Sequence, residues 1–159
     1  MQSLSLILFL HIWQAFLFTV AGLGLVGVRP PLRAVLPLSL GLGVLVEVLR
    51  NTIFPYHAVA MLFVQGVAQK YYFRVGWAAS FAAAFLAFLL LNVGEMITAI
   101  LVLPRFGHSV NDLLAYTAGQ VAVGWLSQVL LIVAAFGVRR REWVLFPLES
   151  RRGERSAVR

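Results

Sequence analysis

The sequence contains no cysteine, and charged residues of either sign are scarce. Disulfide bonds, thiolate metal sites and cysteine nucleophiles are therefore excluded. Only 12% of the residues are charged, whereas 61% are hydrophobic and the mean hydropathy is +0.89. A soluble domain does not need this much apolar surface, so the composition predicts an integral membrane protein.

Charged and proline-rich breaks divide the chain into five hydrophobic segments, 4–28, 34–49, 56–69, 75–103 and 113–138. A membrane-spanning helix needs about 20 mostly apolar residues, so the second and third segments are short for a bilayer. They are either tilted core helices or, for the third, a re-entrant segment. The first segment leads into the second without an A-x-A-like cleavage site, so we expect it to be a retained helix and not a signal peptide. The pattern predicts an all-α fold, a polytopic bundle of about five transmembrane helices over 1–138, followed by a basic tail over 139–159.

The 13 lysines and arginines are divided unevenly between the two sides of such a bundle. The first and third connections and the tail carry eleven of them, and only Arg50 and Arg105 fall on the other side. The positive-inside rule assigns the basic side to the cytoplasm. We therefore expect the N-terminus outside and the C-terminus in the cytoplasm.

Arg139, Arg140, Arg141 and Trp143 come directly after the last hydrophobic segment. Cations and a tryptophan at this position favour anionic lipids at the cytoplasmic face, or a cytoplasmic partner that docks there. The net charge of +7 agrees with a membrane surface. We see no nucleic-acid-binding module, so nucleic acid is not an expected partner.

Glu95 is the only charged residue between Arg74 and Arg105. A carboxylate at membrane depth costs roughly 2.5–3.5 kcal/mol on insertion scales, so it normally faces protein or water. Asn92 and Thr98 lie three residues before and after it, which places three polar groups near one stripe of a helix. Two interpretations stay open. Glu95 either holds the bundle in register through a hydrogen bond, or lines a ligand site or ion path with Asn92 and Thr98 as orienting groups.

Other polar side chains at membrane depth are able to meet Glu95; they are His11, Gln14, Gln65, Gln120, Ser127 and Gln128. His11 and Gln14 are one helical turn apart and share a face. In the expected topology they lie in the same outer half of the bilayer as Glu95, so a site built from the three is geometrically feasible. Glu47, three residues before Arg50, is interpreted as a snorkelling or locally paired interfacial carboxylate.

The run from Gly22 to Gly27 satisfies G-x-G-x-x-G, but the strand and soluble βαβ unit of a dinucleotide site are missing. We interpret these glycines, with Gly41 and Gly43, as positions where helices pass close to each other.

His57, His108 and Asp112 fall in the two expected outer loops without the spacing of a metal site, and Asp112 is better explained as an N-cap. Neither a serine elbow nor a cluster of carboxylates is present in the sequence. We therefore predict a protein without metal or cofactor, and not an enzyme.

The order of segments resembles the membrane sensor region of Gram-positive peptide-sensing histidine kinases of the quorum-sensing type. The resemblance lies in the short basic loop Val28-Arg29-Pro30-Pro31-Leu32-Arg33 and in a fourth helix with a lone carboxylate, Leu91-Asn92-Val93-Gly94-Glu95-Met96. It extends over 4–138 and implies a bacterial cytoplasmic membrane. The phospho-accepting helix and ATP-binding domain of such a kinase are not in this sequence, so the resemblance implies that a separate subunit supplies the signalling output.

Three functional classes follow. The first is a receptor-like or regulatory membrane protein that binds a ligand or partner in the bilayer and couples to another subunit. The second is the substrate-binding membrane component of a transporter, in which Glu95 contacts solute or proton. The third is a structural subunit of a larger membrane complex, in which the polar residues join helices.

Overall fold

The computed structural model describes residues 4–53, 56–102 and 117–147, and the regular structure in these three ranges is entirely helical. The helices in chain order are α1 (Leu4–Leu25), α2 (Leu32–Thr52), α3 (His57–Tyr72), α4 (Trp77–Ile97), α5 (Thr117–Ser127) and α6 (Val129–Arg141). One π-helical turn, Thr98–Val102, directly follows α4. The predicted all-α class is confirmed.

Three of these helices, α1, α2 and α4, are long and apolar enough to cross a membrane. A fourth crossing is present if α5 and α6 form one broken span, since the two are bent by 44° at their junction. Helix α3 has 16 residues and does not qualify by length. Within the described ranges the bundle thus has three to four candidate spans, and the fifth crossing stays a prediction.

Helix α2 is longer than the 34–49 predicted from the sequence. It begins after Pro31, whose extended backbone (φ −66°, ψ 131°) is compatible with the position before a helix. It continues past Arg50 to Thr52, and the side chains of Asn51 and Thr52 donate hydrogen bonds to the carbonyls one turn earlier, those of Glu47 and Val48. The helix therefore reaches a full membrane-spanning length.

Helix α1 is the centre of the bundle. It packs against α2, α4 and α6, and α3 completes the group by packing against α2 and α4. The outward faces are apolar and exposed, most clearly on α2 at every fourth residue: Leu32, Leu36, Leu40, Val44 and Val48. An exposed apolar stripe of this length is the surface that lipid chains would cover.

Three glycines lie where α1 contacts its neighbours. A Cβ at Gly22 would overlap the backbone of Ala83 in α4, and one at Gly24 would overlap Val138 in α6. A Cβ at Gly43 of α2 would overlap Ile12 of α1. The predicted close approaches are confirmed at these three positions.

The same prediction is wrong for Gly41, because a Cβ there would have no neighbour within 4 Å. Gly41 is two residues from Gly43, which is about 200° round the helix at 3.6 residues per turn. The two glycines therefore point in nearly opposite directions, and only Gly43 faces α1.

The basic connections meet at one end of the bundle. The Arg29 guanidinium donates a 2.8 Å hydrogen bond to the Glu142 carboxylate, and Arg139 donates one of 3.3 Å to the Pro30 carbonyl. Phe73, between α3 and α4, packs against the buried cluster at the end of α1. We call this the basic end; its cations are Arg29, Arg33, Lys70, Arg74 and Arg139 to Arg141.

Residues after α6 fold back onto the end of α1. Glu142 has a left-handed backbone (φ 56°), and the amide N–H groups of Leu145 and Phe146 then donate to the Leu25 carbonyl at 2.8 and 3.1 Å. They satisfy a carbonyl that the end of a helix leaves unpaired. The last helix therefore ends at Arg141, three residues beyond the predicted boundary, and Arg151, Arg152, Arg155 and Arg159 lie outside the described residues.

We expect Gly22→Ala to destabilise the bundle by about 1–3 kcal/mol, because its methyl group would overlap the Ala83 backbone. Gly41→Ala is the matched control in an open position, and we expect it to be neutral or to stabilise by up to about 1 kcal/mol. Thermal unfolding of the two variants in the same detergent is the measurement. Equal effects would contradict the close α1–α4 contact.

The contact of Arg29 lowers the pKa of the Glu142 carboxyl below its ordinary value, first through the hydrogen bond and then through the charge itself. Because the folded-state pKa is depressed, the contact is fully present above the ordinary carboxyl pKa of about 4.3 and is lost as the pH falls through the lower folded value. We expect the amide NMR signals of Leu145 and Phe146 to shift with a midpoint below pH 4.3. Glu142→Gln should remove that transition, and a wild-type midpoint at or above 4.3 would contradict the ion pair.

Candidate functional site

A cavity of about 410 Å³ lies among α1, α2, α3 and α4, at the end of the bundle opposite the basic end. Its walls are the first half of α1 and of α3 and the last turns of α2 and α4. Because α1 packs on α2, α2 on α3, α3 on α4 and α4 on α1, the four helices form a ring around it. The cavity is therefore the central space of the ring, between helices that do not fill it.

Seven polar side chains from all four helices line this cavity: His11, Gln14, Arg50, His57, Gln65, Asn92 and Glu95. Four of the five site residues predicted from the sequence are among them, namely His11, Gln14, Asn92 and Glu95. The structure brings these four together around one space. Their role in binding a ligand stays a prediction.

Thr98, the fifth predicted site residue, does not line the cavity. It is buried, and its hydroxyl donates a 2.9 Å hydrogen bond to the Gly94 carbonyl one turn earlier. Six residues separate it from Asn92, which is about 240° round the helix at 3.6 residues per turn. The stripe drawn from Asn92 through Glu95 therefore does not continue to Thr98.

Glu47 lies beside the cavity and faces α1. One oxygen of its carboxylate is 3.1 Å from Nδ1 of His11, within ion-pair distance but without the alignment of a hydrogen bond. The other oxygen accepts a 3.1 Å hydrogen bond from the Asn51 amide. The interpretation of Glu47 as a locally paired carboxylate is confirmed, although its partners are His11 and Asn51 and not Arg50.

A hydrogen-bonded chain closes the inner end of the cavity. The Gln65 amide donates to the Thr19 hydroxyl at 2.8 Å, and that hydroxyl donates to the Ala15 carbonyl at 2.9 Å. Both side chains are buried, and the bond joins α3 to α1 diagonally across the ring. Because each donor in this chain has an acceptor, it is a structural element of the bundle.

Arg50 and Glu95 are the two charged residues of the lining, and they stand on α2 and α4, which α1 and α3 separate in the ring. Neither forms an ion pair in the part of the chain that the structure describes. Asn92, one turn before Glu95, donates its amide to the Phe88 carbonyl at 2.7 Å and keeps its own oxygen as an acceptor. Within the described residues, the cavity thus presents a cation and an anion on opposite walls, and neither has an ion-pair partner.

Apolar side chains complete the walls: Phe18, Val46, Met61, Leu62, Phe88 and Leu91. A concave space with mostly apolar walls and a few convergent polar groups is typical of small-molecule sites, which span about 300–1,000 Å³. The volume of this cavity falls within that range.

The sequence did not point to Arg50 and His57 as lining residues, since both were assigned to the connection between the second and third segments. Arg50 belongs to the last turns of α2, and His57 begins α3. A signal was present in the spacing, because Val46 and Arg50 are one turn apart and both face the cavity. His108 and Asp112, the other outer-loop residues considered for a metal, lie outside the described residues.

Among the residues the structure describes, no group of three or more His, Asp or Glu side chains is placed to hold a metal ion. The fold and the site therefore define a helical protein with three to four helices able to cross a membrane and, between its helices, a mostly apolar cavity with a few polar side chains. Comparison of the chain with known protein families, with curated proteins and with solved structures finds no match.

Thr19→Val removes the acceptor of the Gln65 amide inside the bundle, and we expect it to destabilise the protein by about 1–3 kcal/mol. The double variant Thr19→Val with Gln65→Leu leaves no unpaired amide and should recover most of that loss. Ser39→Ala is the control, since that buried hydroxyl bonds only within its own helix. Additive losses in the double variant, measured by thermal unfolding, would contradict a bond between α1 and α3.

Proposed function

We propose that this protein is a receptor-like or regulatory integral membrane protein that binds a small ligand in the ring cavity and couples its occupancy to another subunit. The observation that carries the proposal is the cavity itself, to which four helices contribute polar side chains, among them one cation and one anion that form no ion pair within the described residues. Charged groups at membrane depth normally face a partner, water or a ligand, and mark functional positions. A purely structural role would instead favour direct pairing of these groups across the ring.

The proposed topology has five crossings, with the basic end in the cytoplasm and the cavity toward the outside. The concentration of cations at one end supports this orientation through the positive-inside rule. Helix α3 is about 24 Å long at 1.5 Å per residue, against a hydrocarbon core of about 30 Å. Its place in the ring between α2 and α4 supports a crossing, because neighbouring helices shield its ends.

The basic end is the proposed surface for anionic lipids and for the partner subunit. Arg140 and Arg141 are exposed there, and so are the apolar side chains from Trp143 to Phe146. Adjacent cations and large apolar groups suit a lipid headgroup layer. Helix α1 reaches from this end to the cavity, which supports coupling between the two.

Binding, and not catalysis, is the proposed activity of the cavity. Its lining offers no hydroxyl, thiol or amine nucleophile among the described residues. The polar groups present are suited to recognising charge and donating or accepting hydrogen bonds.

A transport component is the second candidate. One observation favours it: the helix that carries Glu95 changes to a π-helical turn at Thr98, and Gly94 contacts the carbonyl of Ser127 at the break between α5 and α6. Interrupted helices beside an intramembrane carboxylate are typical of solute and ion sites in transporters. In this alternative Glu95 contacts the solute or a proton.

A bulky side chain inside the cavity should displace the ligand. Ala58 lines the cavity, whereas Ala78 of α4 is exposed on the outside of the bundle. We expect the protein to retain a small molecule when it is extracted with its native lipids and analysed by mass spectrometry. Ala58→Phe should lose that molecule, and Ala78→Phe should retain it.

Folding of both variants is checked by size-exclusion chromatography and thermal unfolding. Equal retention by both variants would place the molecule outside the cavity and contradict the proposed site. A wild-type protein without any bound small molecule would contradict the receptor function.

A further inference from the structure

We propose that the ring cavity selects a zwitterionic amphiphile, whose anionic group lies at Arg50, whose cationic group lies at Glu95, and whose apolar part contacts the walls between them. This inference rests on the proposed function, namely that the cavity binds a small ligand. It adds the chemical class of that ligand.

The Arg50 guanidinium is available because the nearest acidic residue in its helix is already engaged. Glu47, three residues earlier, uses one carboxylate oxygen toward His11 and the other toward the Asn51 amide, at 3.1 Å each. No ion pair of Arg50 occurs in the described ranges. Its planar donor group suits a carboxylate or a phosphate, which it is able to bind through two parallel hydrogen bonds.

Glu95 provides the opposite charge on the opposite wall. Its carboxylate makes no ion pair or hydrogen bond with the described part of the chain, and the free oxygen of Asn92 lies one turn away on the same helix. Two oxygen-bearing side chains on one helical face suit an ammonium group, which has only donors. The two walls are therefore complementary to the two ends of a zwitterion.

A ligand with a single charge leaves one wall unsatisfied. An unpaired charge beside apolar walls is costly, so an occupant that pairs Arg50 and Glu95 together has an advantage over one that pairs either alone. The apolar groups between the charges, including Phe18, Leu62 and Leu91, favour an occupant with a hydrocarbon or aromatic part.

Two sources share this chemistry, a free amino acid and the phosphate and ammonium headgroup of a phospholipid. Three matched probes test the charge requirement with one apolar part: phenylalanine carries both charges, 2-phenylethylamine only the cation, and 3-phenylpropionate only the anion. Dihexanoylphosphatidylethanolamine represents the lipid source. Binding is measured by calorimetry at neutral pH in an uncharged maltoside detergent.

We expect either phenylalanine or the short phospholipid to bind. If phenylalanine binds, each singly charged phenyl probe should bind at least tenfold more weakly than phenylalanine. Binding of phenylalanine alone identifies an amino-acid-like ligand, and binding of the phospholipid alone identifies a headgroup. Both results support a zwitterion site. Ala58→Phe should abolish the binding in either case.

Variants that remove one charge should change the preference among the probes in a specific way, whereas general damage to the fold would weaken the binding of all probes. Glu95→Gln removes the partner of the ammonium group, so it should remove the preference for phenylalanine over 3-phenylpropionate. Arg50→Gln removes the partner of the carboxylate, so it should remove the preference for phenylalanine over 2-phenylethylamine. For a headgroup ligand, each variant should weaken the phospholipid at least tenfold. Arg33→Gln, a change of charge at the basic end, should leave both the affinity and the preferences unchanged.

Failure of this inference is distinguishable from failure of the proposed function. Two results would overturn the zwitterion inference and leave the receptor function standing. The first is equal binding of all three phenyl probes in the cavity. The second is no binding of any probe while Ala58→Phe still displaces a co-purified molecule. Binding that Ala58→Phe does not affect overturns both.

Discussion

The backbone contact between α1 and α4 at Gly22 and Ala83 is the constraint on which the arrangement of the bundle depends. Lipid chains are as apolar as the helices, so close packing and interhelical hydrogen bonds hold such a bundle together. The buried face of α4 is built from alanines, Ala79, Ala83, Ala84 and Ala87, as far as the turn before the cavity. Beyond them Phe88 and Leu91 are larger, and the distance between helices follows the size of the side chains at the contact. The cavity therefore opens where the run of small residues ends.

Polar groups around the cavity fall into two kinds, those that contact a polar side chain of another helix and those that have no such partner among the described residues. Thr19 and Gln65 satisfy each other, and His11 and Glu47 lie within ion-pair distance, so these pairs join helices around the cavity. Arg50 and Glu95 have no such counterpart in the described structure. Both residues are exposed in the bundle, so a partner from outside the described residues is able to reach them. The Thr19–Gln65 bond and the His11–Glu47 contact thus join helices around the ring, and the two charges that have no partner among the described residues support the proposed binding role.

Spacing along a helix was enough to predict four of the residues that line the cavity. His11 and Gln14, and likewise Asn92 and Glu95, are separated by three residues, and that separation fixes a shared face. The expected topology then placed both pairs at the same depth. The same reasoning extended too far at Thr98, because a sixth-residue separation leaves the stripe.

Two other errors have a different physical cause. A charged residue is an unreliable boundary between segments, because α2 continues through Arg50 to Thr52, with Asn51 and Thr52 bonded back to the preceding turn. Glycine spacing likewise does not tell which side of a helix meets a neighbour, so Gly41 was grouped with Gly43. Both facts depend on the folded structure, which a single sequence does not show directly. The bend at Gln128 between α5 and α6 is likewise not visible in the sequence.

Helix α1 connects the two ends of the molecule and gives the proposed coupling a physical route. Gln14 faces the cavity, and eleven residues later, about 16 Å along the axis, the Leu25 carbonyl holds the chain that follows α6. That contact consists of two backbone hydrogen bonds and an exposed ion pair, so little free energy holds it. The glycine contacts of α1, in comparison, are close approaches to Ala83 and Val138 inside the bundle. In a receptor of the proposed kind, a ligand that shifts α1 would therefore loosen the contact between the Leu25 carbonyl and the chain after α6 first. At that contact the apolar side chains from Trp143 to Phe146 are already exposed to a partner or to lipid.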